Sequence, residues 1–282
     1  MKNLFLTAAS GAALFAVPAT AQDESARSEF FNGFYVGGTV GIDTTANSDE
    51  SFVFDTNRDG NFDNTVRTVA GANAFAPGFC GGNANANNAA GGCSSDEDDL
   101  SYAVRIGVDR RLGDNGLLVA GLLAEATKHE STDFTSAFSS TPASYTIARG
   151  LDHSFALRGR LGISPGEGRG LFYVTGGVAY GKLEHDFATS NTANSFTEFD
   201  DDDYQLGGQI GGGAEIHIAR NLSIGLEYVY QTFEDEDYYV AVGQGTAPLT
   251  NPFLLNGGGT NLRLANTDYD LHSFKAGVNF RF

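Results

Sequence analysis

Residues 55–63 read Asp55-Thr56-Asn57-Arg58-Asp59-Gly60-Asn61-Phe62-Asp63. Oxygen donors at every second position, with Gly at the turn, match the first half of an EF-hand-type loop, in which carboxylate and amide oxygens wrap a hard cation. The twelfth position, where a bidentate Glu closes such a loop, is Val66, so a complete EF-hand is excluded. Asp55, Asn57, Asp59, Asn61 and Asp63 therefore predict either a partial Ca²⁺ site completed by other loops or an acidic turn joining strands over 51–55 and 64–69. No other cofactor is expected. Cys80 and Cys93 are the only cysteines and flank a Gly/Asn/Ala-rich stretch. Two thiols without a nearby His make a poor metal site, and in an oxidising compartment they predict a disulfide.

Nucleophilic chemistry is not expected. The five histidines are His129, His153, His185, His217 and His272; His153-Ser154 and His272-Ser273 are adjacent pairs. Adjacent residues of a strand point to opposite faces, so neither pair can form a His–Ser dyad within its own strand. The chain is not read as an enzyme. The other ionisable residues of interest are Arg105, Asp109, Arg111, Glu125, Arg158, Arg160, Glu215, Glu227, Lys275 and Arg281. All stand on the polar faces of segments whose other face is apolar. Gathered inside a barrel, such opposite charges would pair into an ion-bridged core, or line a narrow, gated ion path.

Those segments alternate with period two, the signature of half-buried strands. They cover residues 33–43, 100–112, 117–127, 153–163, 171–183, 204–218, 222–231 and 274–282. In the second, Leu100, Tyr102, Val104, Ile106 and Val108 oppose Ser101, Arg105, Asp109 and Arg111. Each segment has about the 9–11 residues that a tilted strand needs to cross hydrocarbon, and an even count suits antiparallel closure. Three connections, 113–116, 164–170 and 219–221, are short and turn-like. Four others, roughly 44–99, 128–152, 184–203 and 232–268, are long. Short periplasmic turns alternating with long external loops are the layout of an outer-membrane barrel.

The remaining sequence agrees. Lys2, an apolar run from Leu4 to Val17 and the Ala19-Thr20-Ala21 ending read as a secretory leader cleaved before Gln22. The expected organisation is a leader over 1–21, a short periplasmic segment over 22–32 and the barrel over 33–282. Lys and Arg number 17 against 35 Asp and Glu, a formal charge of −18, which argues against nucleic-acid binding. Hydrophobic residues make up only 41%, too few for a helical membrane protein, while 12% aromatics are too many for a disordered acidic chain. The loops hold the acid: residues 184–203 contain seven Asp/Glu and no Lys or Arg, and 43–99 contain ten with two Arg. Glycine clusters such as Gly211-Gly212-Gly213 lie within a strand, where small residues permit tight curvature, and do not form a nucleotide-binding turn.

The final residues, His272-Ser-Phe-Lys-Ala-Gly-Val-Asn-Phe-Arg-Phe282, resemble the β-signal that ends outer-membrane barrels, with Val278, Phe280 and Phe282 at its apolar and aromatic positions. Ala156-Leu-Arg-Gly-Arg-Leu-Gly162, Tyr173-Val-Thr-Gly-Gly-Val-Ala-Tyr180 and Leu226-Glu-Tyr-Val-Tyr230 resemble strands of the small, OmpA-like, porin-like outer-membrane barrels of alphaproteobacteria. The resemblance spans about 30–282 and implies an all-β, eight-stranded antiparallel transmembrane barrel in a Gram-negative outer membrane. It implies insertion by the barrel-assembly machinery and contact with outer-membrane lipid and lipopolysaccharide. The acidic runs at 96–99, 200–203 and 234–237 read either as solvated rim charge or as points where divalent cations bridge to lipopolysaccharide. The expected role is structural and surface-interactive; the alternative is a narrow, weakly cation-preferring pore. Nothing in the sequence fixes an oligomeric state.

Overall fold

The computed structural model describes residues 30–45, 51–94, 98–113, 116–200 and 202–282. The expected leader and most of the 22–32 segment lie outside the described residues, as do residues 96–97 and 201 of the acidic runs. Eight long strands form the barrel: β1 (Gly33–Thr45), β2 (Asp99–Leu112), β3 (Leu118–His129), β4 (Ala143–Ile163), β5 (Gly170–Thr189), β6 (Asp202–Ala219), β7 (Leu222–Glu234) and β8 (Asp268–Arg281). Each is antiparallel to the next, and β8 pairs with β1 from Tyr35↔Arg281 to Thr45↔Leu271, which closes the sheet. Closure gives every strand two neighbours, as a backbone surrounded by hydrocarbon requires.

The alternation sorts the side chains inside out. Phe34, Val40, Val104, Leu122, Val174, Leu206, Leu226 and Phe274 are exposed on the outer wall, while Arg105, Glu125, Arg158, Arg160, Glu215 and Lys275 are buried within. Eight strands leave a lumen that side chains can fill. Gly177 and Gly213 are two of the positions where the strands pass too closely for a side chain. A Cβ at Gly177 would fall on the Leu157 carbonyl oxygen, and one at Gly213 on the Leu226 carbonyl and the Tyr173 hydroxyl.

Two differences from the sequence reading concern the ends. Phe31, placed in a short periplasmic segment, is fully buried: with Val119, Leu171 and Tyr173 it fills the periplasmic mouth, 4.7 Å from the His217 ring. At the external end the long connections are not simple loops. β4 and β5 rise past the barrel rim, and β4 there pairs with Thr132–Ser139, which pairs with Gly78–Gly81. A second sheet has the order Ser195–Phe199, Tyr239–Gly243, Thr260–Leu264, Phe52–Asp55. Between the two sheets lies a core that includes Phe52, Phe54, Phe75, Tyr145, Val240, Phe253 and Leu262. The connections thus build a folded head above the barrel. Segment 51–55 finds its ladder partner in Thr260–Leu264, and the hairpin expected with 64–69 is reduced to one bridge, Phe54↔Asn64. Cys80 and Cys93 form the expected disulfide on the flank of this head.

Phe75 is the hub of the head core, with ring centroids 4.6 Å from Phe54, 5.3 Å from Tyr145 and 5.8 Å from Phe253. Phe75→Ala is expected to destabilise the head by about 3–5 kcal/mol, the usual cost of emptying a buried aromatic site. Limited proteolysis should then cut the head while the barrel keeps its heat-modifiable migration on a denaturing gel. Loss of both together would show that the head and barrel unfold as one unit.

Candidate functional site: the charged lumen and the head above it

Strand register brings the predicted charged residues into two clusters. In the middle of the lumen, Glu125 and Glu227 face Arg105, Arg158 and Lys275. Arg105 pairs with Glu125 at 2.8 Å and Glu227 at 3.0 Å, Arg158 with Glu125 at 3.1 Å and also with Glu227, and Lys275 with Glu125 at 2.9 Å. Toward the periplasm, Arg160 and Arg281 share Asp109 and Glu215. Arg160 Nε donates to Asp109 at 2.7 Å and its Nη1 to Glu215 at 2.9 Å, while Arg281 donates to Asp109 at 2.7 Å. Tyr35 lies beneath both guanidiniums, with its ring centroid 5.0 Å from Arg160 and 4.9 Å from Arg281.

Nine of the ten predicted lumen residues therefore belong to these clusters. Arg111 does a different job. Its guanidinium donates to the carbonyl oxygens of Phe30 (2.7 Å), Gly116 and Gly168 (2.7 Å) and to Ser164 Oγ (2.8 Å), which ties the periplasmic turns together.

Sequence reasoning missed a third group, at the external end of the lumen. His129 Nδ1 lies 2.5 Å from Asp43 Oδ2 and its Nε2 lies 3.0 Å from Ser154 Oγ, while Ser101 Oγ donates to Asp43 at 2.8 Å. The connectivity is that of a Ser–His–Asp relay, but all three side chains are buried in the packed lumen. An acyl-transfer centre also needs oxyanion donors and room for a substrate beside the nucleophile. Only cross-strand register assembles the group. The adjacent pair His153-Ser154 is split as expected: His153 faces outward to Tyr204 and Ser154 faces inward to His129.

Asp43 completes the lumen's charge balance: Arg105, Arg158, Arg160, Lys275 and Arg281 against Asp43, Asp109, Glu125, Glu215 and Glu227. Five cations against five carboxylates leave no surplus charge to attract an ion. A void between the two lower clusters, lined by Thr39, Arg105, Tyr173 and Asn279 among others, has a volume of about 10 Å³, room for one water at most. Above His129 the apolar side chains Leu151, Leu183, Phe233, Tyr269 and Leu271 pack across the lumen.

The joint between barrel and head is again polar. Asp235 accepts from His185 Nε2 at 2.8 Å and from Arg149 at 3.4 Å, and His185 stacks on Tyr238 at 4.0 Å. Burial alone would raise the Asp235 carboxyl, but the hydrogen bond from His185, its charge and that of Arg149 outweigh it and hold the group below its ordinary value of 3.8.

The tentative calcium ligands lie in the head. Asp55 accepts from the backbone amides of Asp59 (3.2 Å) and Gly60 (2.9 Å), and Asp59 accepts from the Asn61 amide (2.9 Å) and Asn57 (2.9 Å). These bonds make a self-satisfied acidic turn, and no group of three His, Cys, Asp or Glu among the described residues is gathered for a metal. On the outer wall, the external rim carries Tyr180 stacked on Tyr204 (5.1 Å), the Lys128–Asp152–His153 cluster, and Tyr228 bonded to His272 at 2.7 Å. Phe34, Phe172, Phe280 and Phe282 are exposed near the opposite rim, with Val278 one pair further in. These are the two interfacial girdles of a membrane barrel.

Residues 7–282 match the outer membrane protein beta-barrel domain family. No curated protein matches the sequence. Among solved structures, the chain is similar to the outer membrane protein OprG of Pseudomonas aeruginosa, with 12% identity over 89% of this chain and 97% of that one and a TM-score of 0.45. It is also similar to Neisserial surface protein A, at 12% identity over 89% and 98% with a TM-score of 0.34. The attachment invasion locus protein Ail of Yersinia pestis, solved with a heparin analogue, matches at 7% identity over 89% and 99% with a TM-score of 0.33.

Two outcomes follow from the charges. Glu125→Gln leaves Arg105, Arg158 and Lys275 facing Glu227 alone and is expected to cost about 3–5 kcal/mol, as for other broken buried pairs. The denaturant midpoint of the refolded barrel reads this directly. Because the Asp235 carboxyl is lowered in the folded protein, its stabilisation is present above about pH 4 and lost as pH falls through its folded value. Asp235→Asn should remove the acid-induced rise in proteolysis of the head below about pH 4, the ordinary carboxylate titration range.

Proposed function

The chain belongs to the outer membrane protein beta-barrel domain family, and on that footing we propose that it is a non-enzymatic structural barrel that anchors a folded external head as an interaction surface. Its place is the outer membrane of a Gram-negative bacterium. The observation that carries the reading is the balanced, side-chain-filled lumen. Five cations and five carboxylates run through the barrel, four of the carboxylates in ion pairs and Asp43 bonded to His129 and Ser101; Phe31 fills one mouth and the Leu151–Phe233–Leu271 layer spans the other. An interior packed in this way supports the wall and leaves the head as the part that meets the outside.

The narrow cation-preferring pore is the weaker reading, because the void beside Arg105 admits no more than one water and no net charge is left to select an ion. The outward Tyr, His and Lys groups at the external rim support contact with lipid and lipopolysaccharide headgroups. Outward-facing Val278, Phe280 and Phe282 support recognition by the barrel-assembly machinery. The kinship with small alphaproteobacterial barrels carried by the strand motifs belongs to the same proposal.

Single-channel recording of refolded residues 22–282 in planar bilayers, with and without Ca²⁺, tests the reading. A folded, heat-modifiable barrel that stays electrically silent is expected. Discrete, reproducible openings with cation preference would overturn it in favour of the pore.

A further inference from the structure

The hairpin joining β5 to β6 leaves the barrel as two diverging legs. Among the described residues, Glu184↔Asp202 is its last ladder pair. Above it, residues 185–189 of β5 stay bonded to residues 145–149 of β4, whereas Ser195–Phe199 pairs with Tyr239–Gly243 in the other sheet of the head. Among the described residues, each leg has a ladder partner on one side only, and the sides turned toward each other share no ladder. The wall of the head therefore has a seam. Its floor is Phe187 against Phe196, 5.2 Å apart. The connecting turn is fixed by Asn191, whose Oδ1 accepts from the amides of Ala193 and Asn194 and whose Nδ2 donates to Asn194 Oδ1.

Edge strands are usually blunted by lysine, proline or a bulge. Residues 185–189 and 195–199 contain none of these. The segment is instead acidic, with seven Asp/Glu and no Lys or Arg over 184–203. Glu184 and Asp186 are exposed on one leg, and Asp200, Asp202 and Asp203 at the foot of the other. Lys182 spans Glu184 (2.7 Å) and Asp202 (3.2 Å) at the base, so that part of the charge is already matched. Higher up, the like charges on the two legs oppose their closing on each other.

We propose that this seam is a docking site for an extended, cationic segment of a partner protein, which adds as a β-strand alongside the open legs. Main-chain bonds to the two edges would supply affinity, and alternate side chains specificity. The strand period of two sets the partner's pattern: apolar side chains inward onto Phe187 and Phe196, basic ones outward beside Asp186 and Asp200. The proposal rests on the reading of the head as an interaction surface and names what that surface takes.

The test uses the refolded protein in detergent micelles with an alternating valine–lysine heptapeptide as probe. Expected are salt-sensitive binding and slowed hydrogen exchange confined to the backbone of residues 185–189 and 195–199. A peptide of equal charge with proline in place of a central valine should bind at least about tenfold more weakly, since it cannot form the ladder. The double variant Asp186→Asn, Asp200→Asn should weaken binding several-fold, to an order of magnitude set by two lost charge contacts. It should leave the head resistant to protease, because Asn tolerates the left-handed backbone of Asp200 (φ 57°). Equal binding of the proline peptide, protection elsewhere, no binding with the head intact, or pairing of two copies through the seam would each overturn the proposal. Conductance is unaffected by any of these results, so a failed seam and a conducting barrel are told apart.

Discussion

A backbone inside hydrocarbon has no water to bond, so every amide and carbonyl must find a partner in the protein. That constraint closes the sheet at the β1–β8 seam, and closure at eight strands makes the lumen narrow. A narrow lumen lined by Arg, Lys, Asp and Glu cannot hydrate them individually. Each must be matched, which is why Glu125 meets three cations and Asp109 two. The price of charge burial is thus met by geometry that the closure itself imposes. The same crowding explains Gly177 and Gly213, where a Cβ would strike backbone of the next strand.

The head obeys the opposite economy. Above the rim there is water, so the sheet no longer has to close, and it divides into two sheets with an aromatic core between them. The polar joint of Arg149, His185 and Asp235 lies where the two regimes meet. It couples β4 and β5 to the chain leaving β7, and so fixes how the head is carried on the barrel. Division of the sheet also creates the free edges that a closed barrel lacks. A surface of this kind arises only where strands outlast the membrane.

The His129 group shows what cross-strand register alone can assemble. Asp43, His129 and Ser154 have the links of a relay, yet they are packed between the ion-pair clusters and an apolar layer. In that setting the links satisfy buried polar atoms, which would otherwise be costly, and they hold β1, β3 and β4 together.

Period-two alternation made the eight strands legible, because a strand with lipid on one side and a lumen on the other must alternate strictly. The lumen residues were legible for the same reason: Arg158 and Arg160 share a face with any register. Their partners were not, since Glu227 meets Arg158 across residues 69 apart in sequence, through a stagger that only closure sets. Arg111 has the right face but the wrong height, at the turns and not among the ion pairs. Of the head, only the strand at 51–55 and the Cys80–Cys93 disulfide were legible. The strands of its second sheet are four or five residues long and pair non-locally, as Phe52–Asp55 does with Thr260–Leu264, so no local pattern announces them. Local pattern fixes which way a side chain faces; which side chain it meets depends on register and closure, and these are properties of the assembled sheet.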